Sequence, residues 1–543
     1  MKRFIVGSTW DRTNRNGINN NFDYLFDGVA TMNNLNIKAD ATLLKADAVL
    51  LNAENINNNN VDVQNQLDNI ILESGTSDAE VVQSRTDSNG NTFPLLKDRL
   101  NNIDKSILSR GVNLMDFGAK GDGVSDDTEY FKQFISDENK NKYIPQGEFL
   151  ITEPIEILQD NINLISDGFL TSDKNNITLI DIQGDNNKIQ INIDGKNILP
   201  RGVKCEGYNN TLYNSEIKDL YSESKNAYAF SVVPKGITKV CGNKINNINA
   251  VGDSATGNFI GASRAILLSR SEEIDPNDLT VVEGNYIKDV LGEEGDAIHL
   301  LYSNYGDSNC VIKENTVINA SRRFIKLQCS KAKVERNTFE ENTDVVYAHP
   351  SQAIDIQYGS DIEILDNHVS TKQLGSIYIN GTDADNLSQN IVISRNTIEI
   401  NGTNYMYCNF AKNVVVEGNS FKNGRLFAFD RSSHFKISNN SITSQDNTSS
   451  PLFRLSSTTS NFVIERNILK AGVYLWFLEN RSPFLVFKDN TALSNTPGFR
   501  TFDTAIQSIH VYNVIGGKTI QYGDTTQQLF ENNYSKDDTG NWI

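Results

Sequence analysis

The chain has little cysteine, no excess of basic charge and no long apolar run. Its 543 residues include five cysteines, Cys205, Cys241, Cys310, Cys329 and Cys408, with no CxxC pair among them. An odd number without that spacing argues against a disulfide framework and leaves buried free thiols as the expectation. Lys and Arg number 50 against 68 Asp and Glu, a formal charge of −18. The basic excess of a sequence-blind nucleic-acid binder is therefore missing. No apolar run approaches the roughly 20 residues of a membrane span. Behind the basic start stand only Phe4-Ile5-Val6, short of the roughly 7–15 apolar residues of a secretory signal. Neither nucleic acid nor membrane insertion is expected. At this length one ordinary compact core is excluded, which leaves several modules or a solenoid.

What is present is a repeat. Two or three alternating β-branched residues, two polar or small ones, an Asn and another apolar residue recur from the middle of the chain onward. Examples are VCGNKI ending at Ile245, VVEGNYI at Ile287 and VIKENTV at Val317. The shared residue falls at Asn243, Asn285, Asn315, Asn337, Asn367, Asn396, Asn419, Asn440, Asn467 and Asn490. The spacing is 21 to 30 residues after a first gap of 42, the length of one coil of a three-sided β-solenoid. The long gap has room for an inserted loop around Ser271–Asp278. Alternation before each Asn signals a strand with one buried face. Asn suits a tight corner because it tolerates left-handed backbone angles. Stacked coils would place these amides about 4.8 Å apart, close enough for a ladder. An antiparallel sandwich also has many short strands but does not repeat one corner residue at coil spacing. The crossover rule for parallel strands makes the coil right-handed.

The N-terminal part reads differently. Residues 1–30 are rich in aromatics and Asn and form a segment of their own. Over 31–110 the spacing of Ala41, Leu44, Ala48 and Leu51, resumed by Ile56, Val63, Leu67 and Ile70, predicts an irregular, self-associating coiled coil. A break at Gly75–Asp78 and a short helix with Leu96, Leu100, Ile103 and Ile107 on one face follow. The solenoid is placed at 111–495, with final coils and a cap at 496–543. At its entry, VNLMDFGAKGDGVSDDTEYFKQFI and the later YIPQGEFLIT predict a Gly-rich loop and a short helix. Ser125 caps that helix, Asp126 and Asp127 lie in its first turn, and Phe131, Phe134 and Ile135 form its apolar face. Such a helix can plug the open first coil.

The DFGAKGDGVSDDT segment with PQGEF resembles the entry to pectate-lyase-like β-helix domains, common in tailspikes and tail fibres of tailed bacteriophages. SGTSDAEVVQSR and LLKDRL resemble connector segments of tail proteins from phages of Gram-positive hosts. The two resemblances span roughly residues 1–500. They imply an all-β, right-handed parallel β-helix (pectin-lyase-like) behind an N-terminal α-helical coiled-coil stalk. They also imply a homotrimer in the virion, made in the host cytoplasm and held to baseplate or tail proteins by its N-terminus. The β-helix would bind bacterial surface glycans, which many such proteins also cleave.

Fold alone does not give chemistry; that comes from the residues that equivalent strands of successive coils bring side by side. AILL at Ala265–Leu268, AIHL at Ala297–Leu300, FIKL at Phe324–Leu327, AIDI at Ala353–Ile356 and SIYI at Ser376–Ile379 stand as equivalent strands. With second and fourth residues inward, the third residues make an outward column: Leu267, His299, Lys326, Asp355 and Tyr378. The preceding turns add Glu293, Glu294 and Asp296, then Arg322 and Arg323, then His349 and Gln352. Glu293, Glu294, Asp296, His299 and Asp355 are the candidate catalytic groups. Arg322, Arg323, Lys326, His349, Gln352 and Tyr378 are the candidate substrate contacts. Two carboxyls suit glycoside hydrolysis. Lys326, His299 or Tyr378 as base suits β-elimination on an acidic sugar. A His with the Arg pair suits a teichoic-acid phosphodiester. Asp383 and Asp385 lack the spacing of a calcium loop, and no metal or cofactor is expected. The expected role is a receptor-binding tailspike that depolymerises wall teichoic acid or a capsular polysaccharide. The alternative is a tail fibre on the same fold that only binds.

Overall fold

The computed structural model describes residues 111–223 continuously and the chain onward to 535 apart from short segments, among them 252–260, 343–349, 445–451 and 472–477; before that it describes 85–86 and 95–99. The chain divides into two compact units, Met1–Lys105 and Ser106–Ile543. The predicted coiled coil lies outside the described residues.

The second unit is a parallel β-helix. Three sheets, two of 17 strands and one of 15, run its length, and each strand pairs in parallel with its equivalent one coil away. The first sheet holds the strand before each repeated Asn, the second the strand after it, and the third the AIHL-type strand. In each, one apolar residue per coil stacks inward. On the first sheet Val282, Ile312, Val334, Ile364 and Ile393 are successive partners. On the third, Ile266, Ile298, Ile325, Ile354 and Ile377 are. These side chains are essentially sealed from water; each contributes about 1.5–3 kcal/mol in hydrophobic burial. Cys205, Cys310, Cys329 and Cys408 are buried free thiols and Cys241 is half-buried, as the sequence suggested.

The repeated Asn does build a ladder, though by a different device than corner tolerance. Asn337 donates through Nδ2 to Asn367 Oδ1 at 3.0 Å, and its backbone N–H reaches the same oxygen at 3.0 Å. The pattern continues rung by rung from Asn243 to Asn490. None of the ten takes a positive φ; the residue before each one does, as at Gly242, Glu314, Arg336, Asp366, Arg395 and Asp489. The Asn is selected for its amide, and its predecessor absorbs the left-handed turn.

The entry helix spans Thr128–Ser136 and buries Phe131, Phe134 and Ile135, as its spacing predicts. Its cap differs from expectation. Ser125 sits in the strand Asp122–Asp126 and donates to Asp122. Asp126 accepts the Thr128 N–H instead, at 3.0 Å. Asp127 is fully buried and accepts the backbone N–H groups of Lys120 and Gly121 at 2.7 and 3.1 Å, which closes the Gly-rich loop over the helix start.

Candidate functional site

The third sheet brings the expected column together. Leu267, His299, Lys326, Asp355 and Tyr378 are partners on five successive strands, so their rows lie about 4.8 Å apart. A second row precedes it, in which Arg264 pairs with Asp296 and Asp296 with Arg323. Ladder pairing skips Ala265, Ala297 and Phe324. Across that gap in the pairing, groups three residues apart come near one another: His299 Nδ1 lies 3.9 Å from Asp296 Oδ2.

Arg323 is the hub. Its Nη1 donates to Asp296 Oδ1 at 3.0 Å and its Nε to Asp355 Oδ2 at 2.5 Å. Gln357 also donates to Asp355 Oδ2, at 2.8 Å. The other oxygens, Asp296 Oδ2 and Asp355 Oδ1, are buried without a hydrogen-bond partner among the described residues. Burial pushes both carboxyls up, but with opposite outcomes. At Asp296 burial is outweighed by Arg323 and the neighbouring cations, and the group is held below the usual range. At Asp355 burial prevails over Arg323, and the group is raised.

His299 is enclosed as well. Arg264 Nε donates to its Nδ1 at 2.8 Å, and Nε2 faces Gln328 Oε1 at 2.9 Å. An imidazole that accepts at Nδ1 and meets a carbonyl oxygen at Nε2 is the neutral Nε2–H tautomer. Burial, with Arg264 and Lys326 adding to it against Asp296, brings its pKa down to about 3. Burial also lowers Lys326, whose ammonium forms no ion pair among the described residues. Tyr378 is half-buried, its phenol pushed up to about 12 chiefly by burial; its ring lies 5.4 Å from that of Tyr407 on the next coil.

Glu294 stands on the outer side of the cluster with its side chain 18% exposed, 3.7 Å from Arg322, 3.9 Å from Arg323 and 4.0 Å from Arg264. Four cations (Arg264, Arg322, Arg323 and Lys326) therefore meet three carboxylates in a strongly acidic chain. Gln352 pairs with Gly375 one coil on and accepts from Ser351. Glu293 and His349 lie outside the described residues. Arg264, Gln328 and Gln357 were missed from sequence. Arg264 had a signal: it precedes the small residue of AILL as Asp296 precedes that of AIHL.

The family described as "Right handed beta helix region" matches residues 264–442 and 354–534. "Rhamnogalacturonase A/epimerase, pectate lyase-like" matches 111–204. Curated protein sequences give no significant match. Solved structures of similar shape include the tailspike protein of E. coli bacteriophage HK620 in complex with a pentasaccharide, at 12% identity, 87% of this chain, 86% of that one and a TM-score of 0.45. Another is PfbA, a surface adhesin of Streptococcus pneumoniae, at 16% identity, 79% and 93% coverage and a TM-score of 0.39. A third is the A-module of a mannuronan C-5 epimerase from Azotobacter vinelandii, at 14% identity, 76% and 99% coverage and a TM-score of 0.38. The family matches and the strand register agree on the architecture: over its described residues from 111 to 535 this chain is a parallel β-helix.

Proposed function

We propose that this chain is a phage tailspike whose β-helix engages an anionic bacterial surface polymer, wall teichoic acid or an acidic capsular polysaccharide, and cleaves it at the Asp296–Asp355 cluster. The observation that carries the reading is the pair of carboxyls on one guanidinium with pKa values driven apart. Two carboxyls of opposite protonation tendency are what acid–base cleavage of a glycosidic bond requires. Asp355, raised, supplies the proton to the leaving oxygen. Asp296, held ionised, serves as base or nucleophile. Arg323 orients both, and the surrounding cations draw in the acidic chain. His299 offers no lone pair for proton transfer, so its role is to position Arg264. In this reading the N-terminal part is the virion anchor, attached to baseplate or tail proteins, and the spike is a homotrimer.

One observation favours a spike that only binds: Asp296, His299 and Asp355 are each 1% exposed or less, as in a structural ion network. A single experiment separates the two. The purified full chain is incubated with cell-wall polymer from a susceptible host, and products are scored for shorter chains and new reducing or unsaturated ends. Cleavage abolished by Asp355→Asn and by Asp296→Asn supports the first reading; tight binding with no fragments establishes the second. Reducing ends mark hydrolysis, and unsaturated ends mark elimination. A sedimentation mass of one chain would remove the trimer.

A further inference from the structure

Three coils beyond Asp355 the same outward column opens into a hollow. Tyr407, Ala428 and Arg454 are successive partners on the third sheet. Ala428 is the small residue between two long side chains, and a cavity of about 410 Å³ lies over it. Tyr407, Ala428, Asp430, Arg454, Ser456 and Ser457 line it. That volume falls within the range of small-molecule sites.

The lining is built for one kind of guest. Asp430 is fixed by Ser456 Oγ at 2.7 Å and Thr458 Oγ1 at 2.8 Å, both on Oδ1, and by Arg431 Nε at 3.2 Å on Oδ2. Arg431 in turn lies over the Phe410 ring at 4.5 Å. Oδ2, which Arg431 Nη2 also meets at 3.2 Å, can still accept a hydrogen bond from a sugar hydroxyl. Arg454 is exposed and makes no hydrogen bond or ion pair among the described residues; its partner one coil further is Glu479. A guanidinium fork on the wall of a cavity matches a carboxylate or phosphate. Tyr407, half-buried against Tyr378, presents an aromatic surface to the same space.

We infer that this hollow is a subsite for an acidic sugar unit, with Arg454 holding its carboxylate or phosphate, Asp430 accepting a ring hydroxyl and Tyr407 packing on the ring. Its floor at Ala428 lies three strand spacings from Asp355, about 14 Å, so it grips the polymer a few units from the proposed cleavage point. The inference deepens the glycan reading and rests on it for the polymer, but single sugars test it without any cleavage.

Saturation-transfer NMR on the full chain is run with millimolar glucuronate, glucose 6-phosphate and glucose. Transfer to at least one acidic sugar, well above that to glucose, is expected, and the stronger of the two identifies carboxylate or phosphate as the natural group. Arg454→Gln is expected to weaken that binding about tenfold, the scale of one charge-assisted hydrogen bond. Ala428→Phe, which fills the hollow, is expected to abolish it. No preference for either acid over glucose overturns the subsite. So does acid binding that survives Arg454→Gln unchanged, whatever Ala428→Phe does. Polymer cleavage assayed on the same preparations reports separately on the Asp296–Asp355 reading.

Discussion

Arg264 donates through Nε to Nδ1 of His299 at 2.8 Å, and burial, with this cation adding to it, keeps the imidazole neutral. Its folded pKa of about 3 lies below the free value of 6.5. A depressed group contributes stability that is present above its unfolded pKa and lost as pH falls toward the folded one. Acidification from pH 7 to 5 is therefore expected to cost about 2 kcal/mol through His299. Asp355, raised, acts in the opposite sense, and Asp296, lowered, adds to acid sensitivity as pH falls through the usual carboxylate range and below it. Denaturant midpoints measured at pH 7 and 5 check this. His299→Gln should flatten the dependence; an equally steep loss in that variant would assign it elsewhere.

Arg323 is a second point of high stakes. Replacing it with Met leaves Asp296 and Asp355 buried without their shared cation, a loss of about 3–5 kcal/mol. Arg323→Lys should recover only part of that, since an ammonium does not reproduce the fork that reaches both carboxyls. Adding Asp296→Asn and Asp355→Asn to Arg323→Met should restore much of the stability, because the desolvated charges are gone. The denaturation midpoints of the single, conservative and triple variants give the test. A triple variant no better than Arg323→Met would show that the network's worth lies in packing.

The ladder gives a sharper prediction at its middle. Asn367 Oδ1 accepts the Asn337 backbone N–H and Nδ2, and Asn367 Nδ2 donates to Val334 O and to Asn396 Oδ1. Asn367→Ala orphans a buried backbone N–H and breaks two rungs, for about 2–4 kcal/mol. Asn367→Asp keeps the acceptor and loses the donors, so a carboxylate would face Val334 O and Asn396 Oδ1. At neutral pH it should be at least as damaging as Ala, and it should recover on acidification as the carboxyl protonates. Hydrogen exchange of the Asn337 amide reads the broken rung directly.

Much of this was legible because a solenoid writes its register into spacing. Ten Asn residues at coil intervals fixed which strands are neighbours, and the alignment of AIHL with FIKL and AIDI put His299, Lys326 and Asp355 side by side. Two things did not follow from spacing. Strict alternation assigns side chains to faces, so the approach of Asp296 to His299 across the unpaired Ala297 was invisible. Outward position also does not mean exposure: Arg264, Gln328 and Gln357 seal the column sideways, and their reach depends on side-chain conformation. Likewise Asn was expected at the left-handed corner on propensity, whereas its amide was needed one residue later. Glu314, Arg336 and Arg395 took the strained backbone because the ladder on either side holds them there.

The entry loop tests whether a short motif acts as a structural lock. Asp127 places one carboxylate oxygen on the Lys120 N–H and the other on the Gly121 N–H, so both oxygens are used as acceptors. Asn retains only one acceptor and points its amide at a donor. Asp127→Asn is expected to cost about 1 kcal/mol and Asp127→Ala more, since two part-buried N–H groups then lose their partner. Gly121 has a φ of +61°, and an added Cβ would lie 2.9 Å from the Phe149 ring. Gly121→Ala therefore conflicts with both backbone and packing and should destabilise the same loop independently. Because the loop and helix cover the first coil, each variant should increase protease cleavage near residue 120 before the later coils are attacked. Protection there matching the unsubstituted chain, with cleavage starting elsewhere, would mean that the first coil holds without this lock.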